Sequence, residues 1–178
     1  MKATVIAVVG SKKSGKTTVI EALIRELVKK GYATASVKHI SESNFTIDRE
    51  NKDSWRFAQA GASTIITVAD KELATIEKKN TKNLSLREIL QKCRGNNVVF
   101  IEGLKKLVAN DKQVWKIVMV KSREEALEAL GRYHPILAFA GFYHTIELNS
   151  KIPYMNALEK SRELSDLVEN LLKKQKKP

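Results

Sequence analysis

The 178-residue chain carries 32 Lys and Arg against 20 Asp and Glu, a net charge of +12, and 43% of its residues are hydrophobic. That composition fits one soluble domain spanning 1–178; no apolar run approaches the ~20 residues of a membrane span, and Met1-Lys2-Ala3 leaves no room for a signal peptide, so the expected location is cytoplasmic. A single cysteine, Cys93, excludes an internal disulfide, and His39, His134 and His144 are too few and too scattered for a zinc site.

The first element is the apolar, β-branched run Thr4-Val5-Ile6-Ala7-Val8-Val9, a strand. Gly10-Ser11-Lys12-Lys13-Ser14-Gly15-Lys16-Thr17 follows directly and spells the phosphate-binding P-loop. A helical stripe of Val19, Ile20, Leu23, Ile24, Leu27 and Val28 comes next, so the motif sits between strand and helix as it must. Gly10 and Gly15 let the backbone turn around an anion, and the amides from Lys12, Lys13 and Ser14 to Thr18 in the first helical turn face its oxygens. Lys16 reaches the β- and γ-phosphates as a compact cation, and the Thr17 hydroxyl is a magnesium ligand.

The first helix ends near Lys30-Gly31, and residues 33–37 form a second strand finishing at Lys38-His39. The polar stretch 41–52 is too long for a tight turn, and such loops near phosphates carry function. Asp53 is expected to cap a short helix over 54–60, closed by Gly61. Residues 63–68 and 73–77 read as strands, 84–93 as a helix whose apolar pattern includes Cys93, and 97–101 as a fully buried strand. Residues 115–120 form another strand, 123–130 a helix and 135–140 a last strand. The closing helix, 156–173, presents Leu164, Leu167, Val168, Leu171 and Leu172 on one face for docking on the sheet. Alternating strands and helices predict an α/β fold of the P-loop NTPase type, a mostly parallel sheet with helices on both faces and ligands at the carboxyl ends of the strands.

That rule selects three further positions. Glu102 ends the buried strand, where P-loop proteins place a second acidic group near magnesium, so Lys16 and Glu102 are the catalytic candidates and Thr17 and Glu102 the metal candidates. Lys38 can pair with a terminal phosphate or an anionic co-substrate, and His39 beside it can carry a proton or donate a hydrogen bond. Asp48 is a candidate contact to the far side of the ligand. The basic residues divide evenly, 16 in residues 1–89 and 16 in 90–178, and the one dense cluster, Lys173-Lys174-Gln175-Lys176-Lys177, is a C-terminal tail. A nucleotide accounts for the positive potential without nucleic acid. The residues do not decide between guanine and adenine: the Asn-Lys-x-Asp signature is absent, and so is the Arg-x-x-Arg of kinase lids.

The combination of Gly10 to Thr18, Val37-Lys38-His39, Ile47-Asp48, Lys52-Asp53-Ser54-Trp55-Arg56, Ala60-Gly61-Ala62 and Ile101-Glu102-Gly103-Leu104-Lys105 resembles the molybdopterin-guanine dinucleotide biosynthesis protein B (MobB) family over about residues 3 to 120. Ile40-Ser41 and Glu50-Asn51 depart from that family's usual residues. The resemblance implies a homodimer that binds GTP with magnesium, hydrolyses it weakly, and assists the guanylyltransferase that attaches GMP to molybdopterin. The alternative is an ATP-dependent enzyme, a small-molecule kinase or a dethiobiotin-synthetase-like ligase, which shares the Glu-Gly strand end.

Overall fold

The computed structural model describes residues 3–142 and 151–176; His144 and the Lys177 end of the basic cluster lie outside them. The chain divides into two compact units, one built from residues up to His39 and from Ser85 onward, the other spanning Ile40–Leu84.

The larger unit is built on a six-stranded parallel sheet. Its strands are β1 (Thr4–Gly10), β2 (Thr34–Lys38), β5 (Val98–Glu102), β6 (Val114–Met119), β7 (Ile136–Gly141) and β8 (Tyr154–Asn156), in the order β2-β5-β1-β6-β7-β8. Alternate residues of β1 serve two different cores. Ile6 and Val8 pack with Leu23 and Leu27 of α1 (Lys16–Lys29) and with Leu164 and Val168 of α6 (Ser161–Lys176). Val5, Ala7 and Val9 pack with the layer that holds Leu86 and Leu90 of α3 (Leu86–Gln91), Val108 of α4 (Lys105–Val108) and Ala126 and Ala129 of α5 (Arg123–Arg132). A strand buried on both faces needs a continuous apolar run, which is why its sequence does not alternate. Helices therefore cover both faces, as the sequence pattern predicts. The registers Val8↔Glu102, Lys38↔Glu102 and Gly10↔Met119 bring the carboxyl ends of four strands to one edge.

The elements differ from expectation in identifiable ways. Val28 is 54% exposed, because the apolar stripe of α1 narrows to Val19, Ile20, Leu23 and Leu27 at the sheet. The last helix starts at Ser161, five residues later than the apolar pattern suggests. Asn156 is the reason: its side-chain oxygen accepts from the amides of Leu158 and Glu159, holding a turn there, while Tyr154 and Met155 extend the sheet beside β7. Helix α3 is shorter than 84–93 and opens on a reciprocal cap, in which Ser85 accepts from the Glu88 amide and Glu88 accepts from the Ser85 amide. Lys116 on β6 is fully buried, its ammonium donating to the carbonyls of Asp111, at 2.7 Å, and of His134; burial pushes its pKa down to about 8.

In the smaller unit, α2 (Asp53–Gln59) precedes a hairpin of β3 (Thr64–Ala69) and β4 (Glu72–Glu77). The two strands form an antiparallel sheet of their own and are not members of the parallel one. Asp53 does not cap α2: Lys52 is the N-cap residue, without a side-chain bond, and Asp53 is the first helical residue, 3.6 Å from Arg56 one turn on. An acid there still opposes the helix dipole favourably.

Helix α6 is tied to α1 by charge as well as by packing. Lys30 lies 2.5 Å from Asp166 and 3.0 Å from Glu169, and Glu169 also accepts from Lys173 at 2.7 Å and from Tyr32. Hydrogen bonds from Lys173 and then Lys30 hold the Glu169 carboxyl at about 2, against an ordinary 4.5. A depressed carboxyl stabilises the fold above its unfolded value and stops doing so as pH falls from 4.5 through 2. Glu169→Gln should therefore lower the melting temperature clearly at pH 7 and by much less near pH 2.5. Paired thermal melts at the two pH values check this.

Candidate functional site

The P-loop runs from the end of β1 to the start of α1. Chain leaving β1 crosses to β2 on one side, while β6 lies on the other, so a crevice opens at this edge. Gly10 is needed by close approach: a Cβ there would lie 2.6 Å from the Met119 carbonyl oxygen and 2.9 Å from Ser14 Oγ. Gly15, immediately before α1, has φ +84, a left-handed conformation that side chains disfavour. Lys13 adopts φ +58 without the benefit of being glycine. Such strain costs on the order of 1–3 kcal/mol and collects where a ligand is to be held.

The polar atoms of the loop are prepared for an anion. Ser14 is 4% exposed, and its hydroxyl oxygen and that of Ser11 are buried with no hydrogen-bond partner. A buried hydroxyl without a partner costs about 1–3 kcal/mol, which a phosphate oxygen accepting its proton would recover. Lys16 Nζ donates to the Ser11 carbonyl at 2.6 Å, folding its side chain back over the loop. Burial lowers the Lys16 pKa, and the positive charges of Lys105, Lys121 and Lys38 lower it further against the opposing pull of Glu102. Four lysines thus face one carboxylate, and a polyanion entering there would meet an uncompensated positive field.

Glu102 ends β5 and uses one oxygen twice: Oε2 accepts from Thr17 Oγ1 at 2.9 Å and lies 3.4 Å from Lys38 Nζ. Thr17, Lys38 and Glu102, separated in sequence, therefore meet at one point. A hydroxyl and a carboxylate are hard oxygen donors, the set magnesium takes when phosphate oxygens complete its shell. His39 donates its backbone N–H to the Glu102 carbonyl at 2.9 Å, and its side chain is exposed. Thr18 is exposed in the first turn of α1, and Lys12 and Lys13 are exposed on the loop. Asp48 belongs to the smaller unit, where its Oδ1 accepts from Ser54 Oγ at 2.8 Å and from the Arg49 amide at 3.0 Å, while Oδ2 is buried and partnerless.

Sequence reasoning did not assign roles to Lys105 and Lys121. Both follow strand ends at the same edge, and Lys121 Nζ makes a long 3.4 Å contact with the Lys12 carbonyl. The signal was available: a lysine placed after an apolar strand, as at Lys38.

Known proteins resemble this chain over much of its length. The model of the family described as "Molybdopterin guanine dinucleotide synthesis protein B" matches residues 5–141. A Haemophilus influenzae protein described as "Molybdopterin-guanine dinucleotide biosynthesis adapter protein" is 28% identical over 94% of this chain and 88% of its own length. A Methanocaldococcus jannaschii protein, described as a putative adapter of the same kind, is 33% identical over 67% of this chain, which spans about half of that relative (48%). The crystal structure of Bacillus subtilis MobB superposes with a TM-score of 0.72 at 25% identity, covering 94% of this chain and 96% of the other. That of a MobB homologue from Bacillus stearothermophilus gives 0.69 at 21%, covering 96% and 99%, and supports the fold.

A triphosphate held in the loop would lose its charge-assisted bond to Lys16 in Lys16→Ala, a loss of about 1.5–3 kcal/mol. Affinity for a nucleoside triphosphate should fall roughly 10- to 150-fold, with the melting temperature unchanged within a few degrees. Titration with a fluorescent triphosphate analogue checks it.

Proposed function

Since the chain belongs to the molybdopterin guanine dinucleotide synthesis protein B family, we propose that it binds GTP with magnesium and acts as an accessory protein when GMP is attached to molybdopterin. The observation that carries this reading is the convergence of Thr17, Lys38 and Glu102 beside the Lys16 loop. In it, Lys16 and the loop amides hold the phosphates, Thr17 and Glu102 hold the metal, and Lys38 leaves Glu102 for the terminal phosphate. His39 lines the same edge as a polar neighbour. The partner is molybdopterin or its guanylyltransferase, the working location is the cytoplasm, and the chain acts as one nucleotide-binding domain. Among the described residues no helix is long and apolar enough to cross a membrane.

The protein works as a homodimer in this reading. Support comes from the hairpin of the smaller unit, where Ile66, Val68 and Leu73 are 59%, 79% and 68% exposed. Val68 pairs with Leu73 across the strands, so these side chains form one apolar face. A face of that kind calls for a cover.

Turnover is expected to be slow. The cations around Lys16 are lysines, whereas fast phosphoryl transfer uses a planar guanidinium, worth about 10³–10⁵ in rate, on the developing charge. Multiple-turnover phosphate release from GTP should stay far below the ~1–100 per second of kinases. Release in that range, or a preference for ATP over GTP in equilibrium binding, would replace this reading with the ATP-dependent enzyme. Glu102→Gln should abolish the magnesium dependence of GTP binding and the residual hydrolysis while leaving the melting temperature near wild type, since the packing of β5 comes from Val99, Phe100 and Ile101. Magnesium titrations of both proteins measure this.

A further inference from the structure

The charged groups of the site leave one neighbour of the loop unexplained. Phe142 follows the last residue of β7, at the carboxyl edge of the sheet, and is 41% exposed. Its ring is wedged against the phosphate loop: a Cβ built on Gly15 would lie 2.1 Å from Phe142 Cε2 and 2.2 Å from Cζ. Only glycine at position 15 lets the ring tip reach the backbone there. The backbone leading to it is held firmly. Val120 donates to the Ala140 carbonyl at 2.8 Å, Ala157 donates to the Gly141 carbonyl at 2.7 Å, and a Cβ on Gly141 would meet the Val120 carbonyl oxygen at 2.5 Å and Tyr154 Oη at 2.7 Å. A half-exposed aromatic on so tightly fixed a strand end loses little rotational freedom when a second ring covers it.

The polarity of the site says which end of a nucleotide arrives at this ring. Thr17 meets Glu102 and Lys38 on the β5–β2 side of β1, where Thr17 and Glu102 would hold a divalent cation that would neutralise the terminal phosphates. The terminal phosphates therefore lie toward β5. The nucleoside end points the other way, toward β6 and β7, and there the exposed group beside Gly15 is an aromatic ring. Resting on the assignment of a nucleoside triphosphate to the loop, the geometry points to Phe142 as the stacking platform for the nucleobase, the residue that lets this site distinguish a nucleotide from a bare polyphosphate. Stacking is indifferent to hydrogen-bonding edges, so Phe142 supplies affinity for a purine base without choosing guanine over adenine.

The test compares GTP with inorganic tripolyphosphate, each titrated calorimetrically with magnesium into the wild-type protein, Phe142→Leu and Phe142→Trp. Leucine keeps an apolar side chain against Gly15 and removes the π face. Stacking on an aromatic contributes about 1–3 kcal/mol per base, so Phe142→Leu should weaken GTP roughly 5- to 150-fold and leave tripolyphosphate unchanged. Phe142→Trp should keep GTP affinity, and its indole fluorescence should respond to GTP and not to tripolyphosphate. Equal GTP affinity in wild type and Phe142→Leu overturns the platform, as does a wild type that binds tripolyphosphate as tightly as GTP; either leaves the phosphate site intact. Wild type binding neither ligand overturns the phosphate assignment and the platform with it. Loss of tripolyphosphate binding in Phe142→Leu marks the ring as a prop for Gly15 and overturns its role toward the base.

Discussion

Strand β1 is buried on both faces, by α1 and α6 on one side and by the layer of α3, α4 and α5 on the other, and this burial decides where chemistry is possible. A parallel strand so enclosed can present nothing polar along its length without a costly unpaired group. Polar function is therefore displaced to its end. There the chain has to leave the sheet, the amides that no neighbouring strand uses become available, and the adjacent strands end in step, with Glu102 opposite both Val8 and Lys38. The loop, the carboxylate and the lysines meet at this edge because the apolar core leaves them nowhere else to meet.

The electrostatics of that edge follow from the imbalance between Glu102 and its neighbours. One carboxylate oxygen serves both Thr17 and Lys38, while Lys16 turns to the backbone carbonyl of Ser11. None of these is an optimal terminal partner for a cation in a half-buried crevice, and the depressed pKa of Lys16 records the deficit. A polyanion would relieve it, and at the same time give the hydroxyls of Ser11 and Ser14 acceptors they lack. The arrangement resembles a set of holding contacts that a ligand exchanges for better ones, which is preorganisation in the sense that little has to move.

Much of this was legible in the chain because the signals were local. The P-loop is contiguous, the strand before it is an unbroken run of mostly β-branched residues, and the stripe of α1 has the 3.6 period, so the fold class and the loop between strand and helix follow from spacing alone. Glu102 and Lys38 were legible as strand ends, though the sharing of one Glu102 oxygen by Thr17 and Lys38 depends on β5 inserting between β1 and β2, an order that no local pattern encodes. The apolar period does not mark where α6 starts, since it begins only at Leu164, after the polar run 159–163 that spans the boundary; the Asn156 turn sets the start by hydrogen bonding instead. The hairpin β3–β4 reads as two strands, but whether strands join an existing sheet or pair with each other is settled by tertiary contacts. Phe142 carries no motif at all. Its meaning comes from a glycine 127 positions earlier in the chain, met only in three dimensions.

Lys13 bears on how this protein could be engineered. Its left-handed backbone, φ +58, is a conformation in which glycine would sit at ease. A laboratory selection for heat resistance, blind to ligands, would find that position early, because relieving such strain is among the cheapest routes to a higher melting point. The same replacement would delete a cation from the rim of the loop and slacken the turn that shapes it. Thermostability and grip are set against each other at this single residue, so a hardened variant is best sought in the α1–α6 seam, remote from the crevice.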